Sequence, residues 1–382
     1  MSHGKVLILG AGIGGLATST AFAEAGYEVT VIEIQRSLHS SVYGVGIIQA
    51  PNQLRALDRI GVAQECIAQG FSADVYFRVY SEKGEFEKSL PGSAIPGYDF
   101  PMMNGITRPK LHKILTDRAL EAGVNIEYGK TVGELKQFDD RIEVEITDGT
   151  TRVVDLLVGA DGVHSVLRKH VLDEEHAPQY SGKSVFRINI PRLPEMDAIV
   201  RQEGWTADGE RIGVGMVPLA DDLGYLYANV NWDPTLRLTP EELRVVLKEK
   251  LASFGGPAGA VRDHYVDTDE EIVLRPEEWL LAPAPWHKGR IVLLGDAVHA
   301  VTPNTAQGAA QAIEDGVVLV ETLTTNDSIE AALLEYTDRR FDRCRLVVEF
   351  GANARAWERD PVGDFDPLEA GRIMRESLVE PI

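Results

Sequence analysis

Apolar residues along this chain fall into two kinds of pattern. Near the N-terminus they run unbroken. Lys5-Val6-Leu7-Ile8-Leu9 is one charge followed by four apolar residues, as expected of a strand covered on both faces in a parallel sheet. A glycine-rich turn, Gly10 to Gly15, comes next. An alanine-rich helical stretch through Leu16, Ala17, Ala21, Phe22 and Ala25 then stops at Gly26. A second strand, Glu28 to Ile32, closes with Glu33. Far downstream, Ile291 to Leu294 is another short apolar run ending at a glycine, and Gln307-Gly308 opens a helix through Ala309, Ala312 and Ile313.

The middle of the chain alternates instead. Val185 to Ile190 places Phe186, Ile188 and Ile190 on one strand face and Arg187 and Asn189 on the other. Tyr225 to Asn231 groups Tyr225, Tyr227, Asn229 and Asn231 in the same way, and Arg211 to Met216 precedes it. Residues 73–90 predict a hairpin turning at Lys83-Gly84. From Ser328 to Trp357 the pattern is a long amphipathic helix, with Ala331, Leu334, Tyr336, Phe341, Leu346, Val347 and Phe350 at its apolar positions. Pro361 and an acidic segment break it, and 366–378 predicts a tail helix.

Composition narrows the classes. A length of 382 residues suggests two to three units, and 44% hydrophobic with 25% charged residues is a globular balance. No run of 18 apolar residues predicts a membrane span, and Met1 to Lys5 lacks the regions of a signal peptide, so the expected location is cytoplasmic. A net charge of −21 argues against nucleic-acid or anionic-membrane partners. Cys66 and Cys344 match no zinc or redox spacing, and the nine histidines show no metal-ligating pairs; no metal is expected.

The N-terminal turn satisfies G-x-G-x-x-G between a strand and a helix. Gly10 permits the tight turn, Gly12 lets a pyrophosphate approach the backbone, and Gly15, next to Gly14, lets helix and strand pack closely. The helix start offers N–H groups to phosphates. Glu33 is placed to accept from ribose hydroxyls. This motif alone leaves NAD and FAD both open.

Two further segments carry a resemblance. Gly159-Ala160-Asp161-Gly162 leads to Arg168, and residues 291–316 read IVLLGDAVHAVTPNTAQGAAQAIEDG. With the first motif, in this order, the chain resembles the single-component (class A) FAD-dependent aromatic hydroxylases, above all compact salicylate, hydroxynicotinate and urate hydroxylase-like members. The resemblance implies an α/β fold: a Rossmann-like FAD-binding domain, an antiparallel-sheet substrate domain as in p-hydroxybenzoate hydroxylase, and C-terminal helices. The FAD-binding domain would comprise 1–72, 101–175 and 290–327, the substrate-binding domain 73–100 and 176–289, and the helical segment 328–382.

Residue roles follow from the resemblance. Gly295 and Asp296 match the turn and aspartate at the FAD ribityl chain, and Pro303 the proline beside the flavin ring. Ala306, Gln307 and Gly308 match the loop and helix start facing the flavin pyrimidine. Asp161 and Gly162 match a motif serving FAD and NAD(P)H; a plain helix cap is the alternative. Arg108 resembles an arginine contacting the FAD phosphates, or is an exposed helix-start arginine. The stretch Tyr43 to Ile47, with Gly46, followed by Pro51-Asn52, resembles the segment along the flavin ring. The sequence departs from the family's usual G-Q-G at Ala306, and has Thr302 where a second proline is frequent.

On the substrate side, Tyr225 stands where relatives often have a substrate-contacting tyrosine, seven residues after Pro218. Arg187 and Arg211 are candidates to hold a substrate carboxylate, with Asn189 and Tyr227 beside them; Tyr225, Arg211 and Pro303 are the candidate catalytic residues, although each polar side chain could equally lie on a solvated face. His299 reads as a loop-orienting residue. The resemblance implies a monooxygenase that takes electrons from NADH or NADPH, adds O2 to form a flavin hydroperoxide, and hydroxylates a phenolic acid or hydroxylated N-heteroaromatic. It would work as monomer or homodimer. Alternatives are an FAD-dependent epoxidase or oxidase of a non-aromatic substrate and a non-catalytic dinucleotide-binding sensor. A halogenase is disfavoured, because the five tryptophans never fall two apart.

Overall fold

The computed structural model describes residues 4–37, 46–361 and 363–382. Its first sheet has six strands. In space the parallel ones run Asn125–Tyr128, Glu28–Glu33, Lys5–Leu9, Leu156–Gly159, Ile291–Leu293, and the antiparallel His287–Lys288 closes one edge. Counted in chain order, the parallel strands lie 3-2-1-4-5, the doubly wound arrangement. Its reversal point, between Lys5–Leu9 and Leu156–Gly159, is where such sheets hold ligands, beyond the carboxyl ends of the strands. Four of the five residues of Lys5–Leu9 are buried, as its apolar run predicts. Helices Ile13–Glu24 and Gly308–Thr325 pack against each other beside this sheet.

The alternating segments form a seven-stranded sheet in the order Val273–Trp279, Gln179–Pro191, Leu223–Asn231, Arg211–Pro218, Ile199–Trp205, Phe77–Tyr80, Phe86–Leu90. It is antiparallel except for one pair, Ile199–Trp205 with Phe77–Tyr80, which is parallel. That exception arises because the 77–90 hairpin comes from a distant part of the chain and is bound by no tight turn to its neighbour. The hairpin turns where expected, with Gly84 at a φ of +90°. Phe186, Ile188, Ile190, Leu226, Ala228 and Val230 lie on one face under helices Pro240–Lys250 and Gly256–His264. Arg187, Asn189, Tyr225 and Tyr227 share the other face through their cross-strand register.

That second face meets the unit built on the six-stranded sheet. A small sheet of Gly46–Gln49, Met103–Thr107 and Phe71–Ala73 lies between them. The contact is close: a β-carbon on Gly105 would fall 1.9 Å from the Pro218 carbonyl oxygen. A further sheet, Val132–Gln137, Ile142–Ile146 and Thr151–Val154, was not expected from the sequence. The long helix spans Ile329–Arg359, capped by Ser328, and the tail helix Pro367–Val379, capped by Asp366. Among the described residues no helix is long and apolar enough to cross a membrane.

Candidate active site

Three turns converge at the carboxyl ends of three adjacent strands. The first follows Lys5–Leu9. Gly10 has a φ of +105°, and a β-carbon there would lie 2.3 Å from the Ala160 oxygen, so the first and second turns touch. A β-carbon on Gly15 would sit 2.0 Å from the Gly10 oxygen, while Gly14 packs on Ala312. Gly12 differs: nothing among the described residues lies within 4 Å of its β-position. The only glycine of the four with open space is the one assigned to pyrophosphate approach. Helix Ile13–Glu24 starts at Gly12 without a side-chain cap. The Ala11 peptide is held at both ends: its N–H donates to Glu33 Oε2 at 2.8 Å and its carbonyl accepts from His112 Nε2 at 2.7 Å. Burial keeps His112 below its ordinary range.

The second turn follows Leu156–Gly159. Asp161 Oδ2 accepts from the N–H of Val166 at 2.7 Å and of Leu167 at 3.3 Å, so the capping role is real. Its Oδ1 is buried and has no hydrogen-bond partner among the described residues. Burial raises this carboxyl. An acceptor left open at this point fits a hydroxyl-rich ligand.

The third turn follows Ile291–Leu293. Gly295 has a φ of +59°, and its N–H donates to Asp315 Oδ2 at 2.8 Å. His299 Nε2 donates to the same oxygen at 2.6 Å, which gives His299 the loop-orienting place expected of it. Burial alone would pull this imidazole down, but the Asp315 charge overrides it and raises His299 well above its ordinary value. Asp296 lies solvent-accessible in a recess crowded by protein. The crowding raises its carboxyl, against the pull of His299 and Arg108. Arg108, at the start of helix Arg108–Glu121, feels the charges of Asp296 and Arg187, so three separate elements meet here.

The loop after Asp296 reaches the same recess, and a β-carbon on Gly308 would be 4.0 Å from Asp296 Oδ1. Pro303–Thr305 is a single 3-10 turn, and Ala306 follows with φ 53° and ψ 24°. Ala306 is the only non-glycine with positive φ among the described residues. Its departure from glycine therefore falls on a position whose backbone favours glycine. Thr302, in place of a second proline, donates through Oγ1 to Asn304 at 2.6 Å. Helix Gly308–Thr325 begins without a side-chain cap, because the Gln307 side chain turns into a buried cluster with Asn52 at 2.9 Å and Gln311 at 3.3 Å.

Tyr43 to Val45 lie outside the described residues. Gly46 and Ile47 open the strand paired with Met103–Thr107. The close approach that makes Gly46 a glycine is to protein: its β-position lies 2.4 Å from Leu219 Cδ2 and 2.8 Å from Tyr225 Cε1.

On the opposing sheet, Tyr225 is buried beside Tyr227, with ring centroids 6.2 Å apart. Burial raises its phenol far above the ordinary value, against the pull of Arg187. Arg187 is half-buried and forms no ion pair among the described residues. Asn189 pairs across the strand with Tyr225, and Arg187 with Tyr227. Arg211 is a correction. It sits at the far end of its strand from Pro218, roughly 23 Å away at about 3.3 Å per residue. Its guanidinium is taken by Glu203 and lies 5.3 Å from the Trp357 ring centroid. Of the two candidate arginines, only Arg187 faces the recess.

Several residues were missed. Tyr76, half-buried near Tyr225 and Tyr227, carries no motif, and among the other aromatics of its hairpin nothing in the sequence singles it out. Arg340, Glu314, Asp315 and Gln311 are buried together, a signal visible as charges on the apolar stripes of two helices. His299, Asp315 and Cys344 bring metal-ligand atoms within 4.8 Å of one another. Arg340 already donates to Asp315 at 2.8 Å and lies 3.5 Å from Cys344 Sγ, so a cation fills that position.

A site of this kind, with phosphate-binding turn, open acceptor and carboxylate recess in one line, fits an extended dinucleotide. Residues 3–351 match the family described as FAD binding domain, and the chain belongs to that family. It is a flavoprotein of the monooxygenase kind. It is 31% identical over 360 residues to a 6-hydroxynicotinate 3-monooxygenase of Bordetella bronchiseptica, covering 90% of this chain and 89% of that one. It is 33% identical over 319 residues to a 2-heptyl-3-hydroxy-4(1H)-quinolone synthase of Pseudomonas aeruginosa, covering 82% and 79%. In fold it is similar to Klebsiella pneumoniae HpxO complexed with FAD and uric acid, with a TM-score of 0.81 and 22% identity over 99% of this chain and 93% of that one.

Proposed function

We propose that this protein uses NADH or NADPH and O2 to hydroxylate a small aromatic acid or hydroxylated N-heteroaromatic ring. The observation that carries this reading is Arg187, a guanidinium without a carboxylate partner among the described residues, beside Tyr225 on the sheet face opposite Asp296 and Arg108. The relatives named above as acting on a hydroxynicotinate and a quinolone support a ring substrate.

Bound FAD supplies hydride acceptance and oxygen activation. Gly10, Gly12, Gly14, Gly15 and Glu33 would hold its adenosine diphosphate half, with Arg108 near the phosphates. Asp161, Gly162, Gly295 and Asp296 would take the hydroxylated chain between the two ring systems. Pro303, Ala306, Gln307 and Gly308 would border the flavin ring, where the uncapped helix start favours negative charge. Arg187 binds the substrate anion. Tyr225 keeps its proton at neutral pH, so it donates to a ring oxygen and does not act as a base; such a donor stabilises a phenolate, which makes the ring more electron-rich. Overall, one oxygen atom enters the ring, and the other leaves as water, taking up a hydride's worth of hydrogen and electrons from the nicotinamide and one proton from solvent.

The test is a panel of aromatic acids and hydroxylated N-heteroaromatics added to FAD-loaded protein, following NAD(P)H oxidation and hydroxylated product. At least one ring anion should accelerate oxidation and yield product. Acceleration by none of them, or peroxide as the only product, would overturn the assignment.

A further inference from the structure

We propose that Arg340 is a positioning residue that sets two flavin-facing turns, Gly295-Asp296 and Gln307-Gly308, in fixed relation to each other. The proposal requires FAD binding but not the substrate assignment. Arg340 lies on the long helix Ile329–Arg359 and is 1% exposed. Its Nε donates to Asp315 Oδ1 at 2.8 Å, its Nη1 to Glu314 Oε2 at 2.8 Å, and its Nη2 to Gln311 Oε1 at 2.7 Å and the Gln311 carbonyl at 3.2 Å.

Each acceptor leads to a turn. Asp315 receives the Gly295 N–H and so fixes the residue before Asp296. Glu314 Oε1 receives Asn52 Nδ2 at 3.3 Å, and the same Nδ2 donates to Gln307 Oε1 at 2.9 Å. Gln311 Nε2 reaches that Gln307 oxygen directly at 3.3 Å. One rigid planar fork therefore ends in both turns, by one route to the first and two to the second. A lysine, with a single nitrogen, can reach only part of this acceptor set and keeps the bridge incompletely.

The charges allow this role to be separated from folding. Glu314 also receives Arg343 at 2.9 Å, and Asp315 receives His299. Removing the Arg340 charge thus leaves each carboxylate a cationic partner, and what is lost is the bridge between them.

The experiment compares wild type with Arg340→Gln and Arg340→Lys, measuring affinity for FAD and for ADP. ADP would engage the Gly10–Gly15 turn, Glu33 and Arg108, whereas FAD would need the other two turns as well. FAD binding should weaken about tenfold or more in Arg340→Gln and less in Arg340→Lys, with ADP binding unchanged within about twofold. If Arg340→Gln fails to fold, Arg340→Lys carries the same comparison. Equal losses for ADP and FAD, or no loss for FAD, would overturn the proposal. A wild type that binds ADP but never FAD would instead defeat the cofactor reading.

Discussion

Single residues decide whether the turns can be built. Gly12 and Gly15 belong to one motif, yet their surroundings separate stability from binding. Gly15→Ala would place a methyl group on the Gly10 oxygen and should cost both thermal stability and FAD affinity. Gly12→Ala meets no atom of the described residues and has an ordinary φ of −73°, so it should change stability by less than about 1 kcal/mol while weakening FAD binding at least about tenfold. Calorimetry of the apoproteins with FAD titration checks both. A Gly12→Ala protein that kept full affinity would contradict the placement of the pyrophosphate. At Ala306, valine in the left-handed region should destabilise by about 1–2 kcal/mol, and glycine should leave stability near neutral, its relief of strain offset by a more flexible unfolded chain. The tight turn at Gly10 and the close packing at Gly15 were legible in the sequence, because spacing alone distinguishes them. The choice between Arg187 and Arg211 was not: alternation puts both on one face, and only the register, which sets Arg187 opposite Tyr227 and Arg211 opposite Trp205, tells them apart.

Whole elements carry the buried charge. Helix Gly308–Thr325 brings Glu314 and Asp315 beneath the turns, and the long helix answers with Arg340 and Arg343. The pH response of the His299–Asp315 pair follows from its two shifts. Asp315 is depressed, through His299 and then Arg340 outweighing burial, so its contribution is present above about pH 4 and lost as pH falls. His299 is raised, so its contribution is complete below about pH 6.5 and lost as pH climbs through its elevated value. The melting-temperature advantage of wild type over His299→Asn should therefore be greatest between about pH 4 and 6.5 and shrink on the alkaline side. An advantage that grew with alkaline pH would show that His299 is neutral in the fold. Three of the parallel strands, Lys5–Leu9, Glu28–Glu33 and Ile291–Leu293, were legible as apolar runs beside glycine turns, and the helix Ile329–Arg359 by its amphipathic period. The sheet of Val132–Gln137, Ile142–Ile146 and Thr151–Val154 has a fainter signal, the alternation of Ile142, Val144 and Ile146 across one short strand.

At the scale of the molecule, a chain of net charge −21 turns Arg187, which has no ion pair among the described residues, toward the recess between its two large sheets. The surrounding charge repels an anion in general, so the local guanidinium has to select it. The fold and the order of the three turns were written in separated motifs. The packing of one sheet face on the nucleotide-binding unit was not, because it depends on contacts such as Gly46 with Tyr225 that span 179 positions. The most direct measurement is a spectral titration of the FAD-loaded protein with a hydroxylated aromatic carboxylate and its uncharged amide. Wild type should perturb the flavin band with a preference for the carboxylate of about 10–100-fold, and Arg187→Gln should erase that preference while leaving FAD bound. An Arg187→Gln protein that still favours the carboxylate to the same degree would contradict the account.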